Sequence, residues 1–324
     1  MNSTAIVITA DRTVELQRYT LPKLADDEVL IRTEYSGVSS GTEIWAYQSK
    51  RSELTFPTVP GYQSVGIIEA IGASVKGRNI GERVHFVNSR LPDRFPPTWM
   101  GAHVSHAIVK DHIHPVPSGT DLVAAAVSAL PGVSLRGLNM VDVGIGDLVV
   151  VIGQGLIGQG SAQLAGLRGA TVVAADIAPL RLELSLKYSA DIVVDSRSQN
   201  LAEVVRSVKP AGADVVIETT GRANMFAPAI DLLRWEGQVL LQGWYPDPIT
   251  FDFNVTHGKK PRIAVTCGQD DADLPMELMS KNKLRFRELV THVVSPADAP
   301  EIYSRLSNGD PDILGVVFDW GQLA

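Results

Sequence analysis

From Asp147 to about Gly243 the chain alternates short apolar segments with amphipathic ones, and this alternation restricts the possible folds more than any other feature. The segment 148–152 (LVVVI) is continuously apolar, which is typical of a parallel strand covered on both faces. Strands are predicted at 148–152, 170–176, 191–195, 213–218 and 237–243, with helices between them at 158–167, 179–188, 201–208 and 225–233. This order favours a doubly wound α/β sheet.

A glycine-rich turn joins the first of these strands to the first helix. Gly153, Gly155 and Gly158 form the pattern G-x-G-x-x-G, with Leu156 and Ile157 before the last glycine. In this context the first glycine permits a tight turn, the second lets a pyrophosphate approach the backbone, and the third lets helix pack on strand. The N-terminus of the helix then faces negative charge. We therefore predict a dinucleotide site at this turn.

The end of the next strand carries a carboxylate, Asp176. It lies close to the offset of about 20 residues expected of a group that binds the hydroxyls of the adenosine ribose. A carboxylate there repels a 2′-phosphate, so the sequence predicts NAD as the cofactor. Arg181 qualifies this preference, because an arginine near this strand end can accept the phosphate of NADP. The alternative for Asp176 is a cap of the following helix.

Two further loops follow predicted strands at their carboxyl ends, where ligands of open α/β sheets bind. We expect both near the nicotinamide half of the cofactor. Packing in the core or at a domain interface is the alternative for their two aromatic residues. The loop residues are Thr219, Thr220, Gly221, Gly243, Trp244 and Tyr245.

The first 120 residues have a different pattern, with short strand candidates broken by glycine and proline. Strands are predicted at 29–35, 64–70, 81–87 and 105–109. Many short strands with such turns favour a small β-barrel-like domain. A helical stretch then runs from Asp121 to about Met140, with an interruption predicted at Pro131-Gly132. After Gly258 the sequence predicts a strand at 262–266, a helix at 274–282 and a strand at 314–318.

Composition excludes several classes of protein. The chain has 324 residues, of which 45% are hydrophobic and 20% charged, so it is long enough for two folded domains. Its formal charge is −7 and it has no basic run, which disfavours nucleic acid and anionic membranes as partners. The one cysteine, Cys267, allows neither an internal disulfide nor a thiolate zinc site. No signal-like segment or membrane-length apolar run is visible, so we expect a cytoplasmic protein.

Several motifs together resemble the medium-chain dehydrogenase/reductase family, the relatives of zinc alcohol dehydrogenase. The segment 56–72 (FPTVPGYQSVGIIEAIG) is similar to the family's P-G-H-E-x-x-G-x-V segment, and 79–84 (NIGERV) to its G-D-R-V strand. Leu289-Val-Thr-His292 and the dinucleotide-binding half also fit. The resemblance implies an α/β protein with a β-rich, GroES-like, partly open barrel as catalytic domain (1–122 and 268–324). It also implies a Rossmann domain that binds NAD (123–267).

The departures from the family pattern concern its metal sites. The family's first zinc ligand is a cysteine, and Ser40 stands at that position in Ser40-Gly-Thr-Glu43. Its His-Glu pair is replaced by Tyr62-Gln63, and its third ligand falls near Pro131-Gly132. Zinc requires thiolate, imidazole or carboxylate ligands, so no metal is predicted. The four-cysteine structural lobe is replaced by 88–102, and the histidine pairs His103/His106 and His112/His114 do not complete a site.

Without zinc, side chains must handle the proton and stabilise the alkoxide. The resemblance assigns the proton relay to Thr42. Tyr62 stands at a former ligand position, and its ordinary pKa of ~10 makes it a better proton donor than base. Ser40 and Gln63 are expected to orient the substrate oxygen. Glu43 is expected to anchor local structure.

Some candidates rest on position alone. His103 or His106 could act as a base, although surface or core histidines are commoner. Trp45 and Trp99 are candidate walls of a substrate pocket, with ordinary packing as the alternative.

These observations predict an NAD-dependent, zinc-independent dehydrogenase of a secondary alcohol, possibly a sugar or polyol. The partner is a small-molecule alcohol or ketone, and the predicted edge strand at 262–266 favours a homodimer, as in family dimers. A zinc-free quinone or enoyl reductase that uses NAD(P)H is one alternative, which Asp176 disfavours. A nucleotide-binding protein that has lost catalysis is another.

Overall fold

The computed structural model describes residues 1–266, 268 and 272–323, so Cys267 lies outside the described residues. The chain forms two compact units. The first unit comprises Met1–Ala129, Ala272–Asn282 and Phe286–Ala324. The second unit comprises Leu130–Asp271 and Lys283–Arg285. The predicted α/β fold class, a Rossmann sheet with a β-rich GroES-like part, is confirmed.

The strands are β1 (Asn2–Ile8), β2 (Val14–Thr20), β3 (Val29–Gly37), β4 (Ser64–Ile71), β5 (Arg83–Phe86), β6 (His106–Val109), β7 (Ile113–Pro115), β8 (Leu148–Ile152), β9 (Thr171–Asp176), β10 (Ile192–Asp195), β11 (Ala213–Glu218), β12 (Leu233–Leu241), β13 (Arg262–Val265), β14 (Val290–Val294) and β15 (Gly315–Asp319). The helices are α1 (Ser40–Tyr47), α2 (Leu122–Ala125), α3 (Ala129–Leu138), α4 (Leu156–Leu167), α5 (Pro179–Tyr188), α6 (Leu201–Val208), α7 (Phe226–Leu232), α8 (Phe253–Lys259), α9 (Asp273–Ser280) and α10 (Ala299–Ser307). None of the helices in the described part of the chain is long and apolar enough to cross a membrane.

The second unit is built on a six-stranded sheet in the order β10-β9-β8-β11-β12-β13, and its paired strands are parallel. Every residue of β8 and β11 is buried, as expected for strands covered on both faces. In this sheet β9 lies on one side of β8, and β11, which comes later in the chain, lies on the other side. The order therefore reverses between β8 and β11, which is where open α/β sheets bind ligands beyond the carboxyl ends of their strands.

The first unit contains a seven-stranded sheet, in the order β14-β15-β3-β4-β5-β7 with β6 also paired to β3, and the hairpin β1–β2. Its apolar core includes Ile31, Ile68 and Phe86 from three of these strands. The irregular segment 88–102 is attached to this unit by Arg90, which donates to both carboxylate oxygens of Glu28 at 2.6 and 2.7 Å. This segment therefore holds its place through an ion pair and apolar packing.

The helical stretch after Asp121 differs from its prediction. The break between α2 and α3 falls at 126–128, and Pro131-Gly132 lies inside α3. Pro131 is in the first turn of that helix, where its missing N–H has no intrahelical partner to lose. The hairpin β1–β2 and the helices α1, α8 and α10 were not predicted; each of these elements is only seven to nine residues long, which gives little room for a periodic signal.

Candidate functional site

The turn after β8 has the steric properties of a phosphate-binding loop. Gly153 has φ +91°, a left-handed conformation that favours glycine. A Cβ on Gly158 would lie 1.9 Å from the carbonyl oxygen of Gly153, so this glycine is required for α4 to pack against the turn. A Cβ on Gly155 would meet no atom within 4 Å. The protein itself therefore leaves the space above Gly155 open, and a pyrophosphate would fit there.

The first turn of α4 directly follows the glycine turn. Gly155 is the N-cap of this helix, Leu156 is buried and Ile157 is half-buried. The carbonyl of Ile157 accepts a hydrogen bond of 2.8 Å from the Ser134 hydroxyl. The free N–H groups at a helix N-terminus attract an anion, so this turn suits a phosphate.

Asp176 lies at the carboxyl end of β9, beside the glycine turn. Its Oδ2 accepts from the N–H of Gln154 at 2.6 Å, and its Oδ1 accepts from the N–H groups of Ile177 and Ala178 at 2.7 and 2.9 Å. The N-cap of α5 is Ala178, so Asp176 does not cap that helix. Arg181 Nη1 lies 3.9 Å from Asp176 Oδ2. The carboxylate thus braces the turn and keeps lone pairs for another donor.

The loop after β11 is joined to the glycine turn by Thr219. Its hydroxyl donates to the carbonyl oxygens of Ile152 and Gly153 at 3.0 and 2.9 Å. Thr220 is exposed and Gly221 is buried with φ +69°. A Cβ on Gly221 would lie 2.5 Å from the carbonyl oxygen of Trp244 in the loop after β12.

The loop after β12 lies equally close to the loop after β11. A Cβ on Gly243 would lie 2.4 Å from the nitrogen of Gly221, and the Trp244 side chain remains 51% exposed. The predicted cofactor residues of the glycine turn and of both later loops are thus neighbours at one edge of one sheet.

A buried carboxylate that sequence reasoning missed joins the two later loops. Glu218, the last residue of β11, is fully buried and accepts from the N–H of Thr220 at 2.8 Å and the N–H of Gly221 at 3.3 Å. The hydroxyls of Thr220 and Tyr245 also donate to it. The available signal was a charged residue closing an apolar strand (ADVVIE).

In the first unit a polar cluster surrounds Tyr62. Its phenol donates to the Ser39 hydroxyl at 2.6 Å, and the Thr42 side chain lies beside it. Burial raises the pKa of Tyr62, as does the charge of Glu43, while the hydroxyls of Ser39 and Thr42 and the Arg51 guanidinium oppose the rise. The phenol is therefore protonated at neutral pH and can donate.

The two residues expected to orient the substrate oxygen, Ser40 and Gln63, do not contact the Tyr62 phenol. Ser40 is exposed, and Ser39, one residue earlier, makes the contact with Tyr62. Gln63 is fully buried, and neither its Nε2 nor its Oε1 has a partner among the described residues. In extended backbone, neighbouring side chains point to opposite sides, which fits a half-buried Tyr62 beside a buried Gln63.

Glu43 and His103 form a buried network beneath this cluster. The Glu43 carboxylate accepts from the Ser39 N–H at 2.8 Å, from the Tyr303 hydroxyl and from His103 Nε2 at 3.0 Å. His103 Nδ1 lies 2.8 Å from the Ser36 hydroxyl, which itself accepts from the Trp320 indole.

The two candidate histidines have different surroundings, since only His103 belongs to this network. The donors and acceptors of the network are all satisfied when His103 Nδ1 accepts and Nε2 donates. Both nitrogens of His103 are thus engaged inside the first unit. His106 is half-buried, burial lowers its pKa, and its Nε2 lies 3.8 Å from Glu69.

The two candidate tryptophans also differ. The Trp99 ring lies 5.6 Å from that of Tyr62 and is 46% exposed, with the Arg51 guanidinium 5.5 Å from its centroid. Trp45 is half-buried on α1. Trp99 is therefore the tryptophan that borders the polar cluster.

These donors do not fit a zinc ion. The groups around Tyr62 are hydroxyls and an amide, and the nearby imidazole and carboxylate are bonded to each other and to neutral donors. Zinc takes thiolate, imidazole or carboxylate ligands, usually four in tetrahedral geometry. Across residues 1–266, 268 and 272–323, no three histidine, cysteine, aspartate or glutamate residues are grouped so that they could hold a metal ion.

Two family models match this chain. The alcohol dehydrogenase GroES-like domain matches residues 25–118, and the zinc-binding dehydrogenase domain matches residues 157–281. Sorbitol dehydrogenase of Halalkalibacterium halodurans is 26% identical over 314 residues, which cover 89% of this chain and 91% of that protein. D-xylulose reductase of Saccharomyces cerevisiae is 26% identical over 337 residues, which cover 94% of each.

Solved structures share the fold. A crystal structure of an oxidoreductase of unknown specificity from Escherichia coli has a TM-score of 0.89 to this chain at 20% identity. The match covers 98% of this chain and 99% of that one.

Replacing Gly155 with alanine tests the dinucleotide site. The new methyl group meets no protein atom, so the free energy of unfolding should change by less than about 1 kcal/mol. It occupies the space open to a pyrophosphate, so NADH or NADPH should bind about tenfold more weakly. Thermal unfolding and fluorescence titration measure the two effects.

The matched control is Gly158→Ala. Its methyl group collides with the Gly153 carbonyl, so this variant should lose ~2 kcal/mol or more of stability. Unchanged cofactor affinity in Gly155→Ala would contradict the assignment of the turn.

Proposed function

We propose that this chain, which two alcohol dehydrogenase family models match over residues 25–118 and 157–281, is a zinc-independent, NAD-dependent dehydrogenase of a secondary alcohol. That the chain is an alcohol-dehydrogenase-like oxidoreductase follows from its relatives. The observation that carries the finer proposal is the hydrogen bond between Tyr62 and Ser39, with Thr42 beside it. A phenol hydrogen-bonded to one hydroxyl, with a second hydroxyl beside it, supplies proton chemistry at a position where the family pattern has a zinc ligand.

The proposed chemistry divides the work between cofactor and protein. The nicotinamide, when bound, accepts or supplies a hydride at its C4 carbon. In ketone reduction Tyr62 donates its proton to the substrate oxygen, and the phenolate that remains accepts hydrogen bonds from the Ser39 and Thr42 hydroxyls. In alcohol oxidation the phenolate takes the proton back. Glu43 holds the Ser39 backbone in place and has no direct part in the transfer.

NAD rather than NADP is proposed because of the charge at the end of β9. The Asp176 side chain is 5% exposed and its carboxylate is fixed by three backbone N–H groups, so it cannot readily turn away from an incoming phosphate. Arg181 lies 3.9 Å from it and offsets part of the repulsion. The balance of these two side chains supports NAD as the preferred cofactor, with weaker use of NADP.

A sugar or polyol is the proposed substrate class. Two relatives are named for such compounds, sorbitol and D-xylulose, and both align over most of this chain. Hydroxyl-rich substrates need several hydrogen-bond partners, and the cluster offers Tyr62, Ser39 and Thr42.

The decisive assay uses protein stripped of metal by dialysis against EDTA. The stripped protein is expected to oxidise secondary alcohols or polyols with NAD at an unchanged rate, and its zinc content should be far below one ion per chain. Restoration of activity by added zinc would refute the metal-free mechanism. Use of NADPH with quinones or enoyl substrates alone would favour a reductase, and the lack of turnover with every substrate would favour a non-catalytic role.

A homodimer through β13 is also proposed. This strand pairs with β12 and is the last in its sheet. Ile263 and Val265 are 44% and 63% exposed, and Phe253 on the nearby α8 is 68% exposed. An exposed edge with apolar side chains is a template for pairing with a second copy. Light scattering at micromolar concentration should give twice the mass of the chain, and a monomeric mass would refute the dimer.

Tyr62→Phe tests the proton donor. The variant should lose at least about 100-fold in kcat for ketone reduction, because phenylalanine has no hydroxyl to protonate the product oxygen, while the Kd for NADH stays within about twofold. In the wild type this step should be insensitive to pH through neutrality and slow only above the ordinary tyrosine range, since the pKa of Tyr62 is raised and the protonated form is active.

The matched control is Tyr47→Phe. This half-buried tyrosine on α1 packs against the Tyr303 ring at 5.9 Å and lies outside the proposed machinery. It should retain wild-type kcat. Equal activity of Tyr62→Phe and the wild type would reject the phenol as donor.

A further inference from the structure

We propose that Glu218 is the positioning residue for the nicotinamide half of the cofactor site, an inference that rests on the proposed function. Its carboxylate fixes the loops after β11 and β12 against each other, so that they present one preformed surface to that half.

The topology decides which half of the cofactor is concerned. The glycine turn follows β8, and Asp176 follows β9 on one side of it. A pyrophosphate on the turn and a ribose at Asp176 place the adenosine over β9. The other half must then extend across the reversal of strand order, over the ends of β11 and β12. Those ends carry the loops that Glu218 joins.

The carboxylate is saturated with donors from both loops. From its own loop come the N–H and hydroxyl of Thr220 and the N–H of Gly221, and from the loop after β12 comes the Tyr245 hydroxyl. The backbone carbonyl of Glu218 also accepts from the N–H groups of Gln242 and Gly243 at 2.8 and 3.3 Å. One residue thus bonds to both loops through its side chain and its backbone.

A carboxylate is needed here because every group that hydrogen-bonds to the Glu218 side chain donates to it. A glutamine in the same place would present an NH₂ group to at least one of them and leave donors without an acceptor. Burial and the neighbouring Glu218 raise the pKa of Tyr245, so its phenol keeps the proton that it donates. The interaction is charge-assisted and lies in a fully buried site, where the loss of such a bond costs more than at the surface.

The close approach of the loops leaves little room for another arrangement. The missing Cβ atoms of Gly221 and Gly243 each allow backbone of the facing loop within about 2.5 Å of the Cβ position. Thr219 extends the connection to the carbonyl of Gly153 in the phosphate loop. Because Thr219 anchors the base of this loop, a shift confined to Thr220 and Gly221 would change the surface for the nicotinamide half, while Thr219, Asp176 and the helix N-terminus would stay in place.

The test is Glu218→Gln, read by calorimetric titration with NADH and with ADP-ribose, which lacks the nicotinamide ring. The variant should bind NADH at least about tenfold more weakly than the wild type, with ADP-ribose affinity within about threefold. If the role of Glu218 were purely structural, the variant would lose affinity for both ligands to the same extent.

The matched control is Asp214→Asn, at the other end of the same strand. Asp214 is also buried and accepts from the N–H of Leu148 at 2.7 Å and from Arg234 Nε at 2.7 Å. This variant should lose stability and keep both affinities. Tyr245→Phe removes one donor to Glu218 and leaves the backbone hydrogen bonds in place. This variant should bind NADH about threefold more weakly and bind ADP-ribose with unchanged affinity. It serves as the test if Glu218→Gln does not fold.

Equal losses for NADH and ADP-ribose, or no loss for either, would overturn the role of Glu218. Failure of the wild-type protein to bind NADH or NADPH would instead refute the proposed function. The two failures are therefore distinguishable in one set of titrations.

Discussion

The contact between the start of α4 and the turn after β8 is the constraint on which the second unit depends. The carbonyl of Gly153 lies where a Cβ of residue 158 would be, so the helix can approach the strand only because residue 158 is glycine. This approach brings the helix N-terminus over the carboxyl end of β8. Asp176 and Thr219 then hydrogen-bond to the same turn from the strands on either side. The glycine turn is thus held by β8 and by residues at the ends of β9 and β11.

The first unit reaches a comparable rigidity through a buried carboxylate. Glu43 connects α1 to His103, and it connects both to Tyr303 on α10, which lies 260 residues later in the chain. The C-terminal part of the unit therefore supports the helix that carries Ser39 and Thr42. Each unit uses a fully buried glutamate to hold backbone beside a candidate site. Hydrogen-bond donors satisfy both carboxylates, as buried polar groups require.

The sequence predictions were accurate for features that depend on residues close together in the chain. They were less accurate for features that depend on contacts between distant segments. The bounds of β8, β11, α5 and α6 agree with those predicted, because apolar runs and helix caps are local signals. From the family pattern, Ser40 was expected to orient the substrate oxygen, whereas the structure leaves Ser40 exposed and places the neighbouring Ser39 against the Tyr62 phenol. In the irregular segment before α1, the direction of each side chain depends on how the helix is anchored by Glu43 and not on spacing alone.

The sequence by itself determined the order of strands and helices from β8 to β12, the glycine turn and the carboxylate at the end of β9. These features depend on periodicity and on the steric freedom of glycine, which neighbouring residues specify. Only the tertiary structure decided that Glu218 joins two loops, that His103 is engaged in a buried network and that Gln63 points into the interior. Those outcomes depend on contacts between segments far apart in the chain, which form only when the sheets pack.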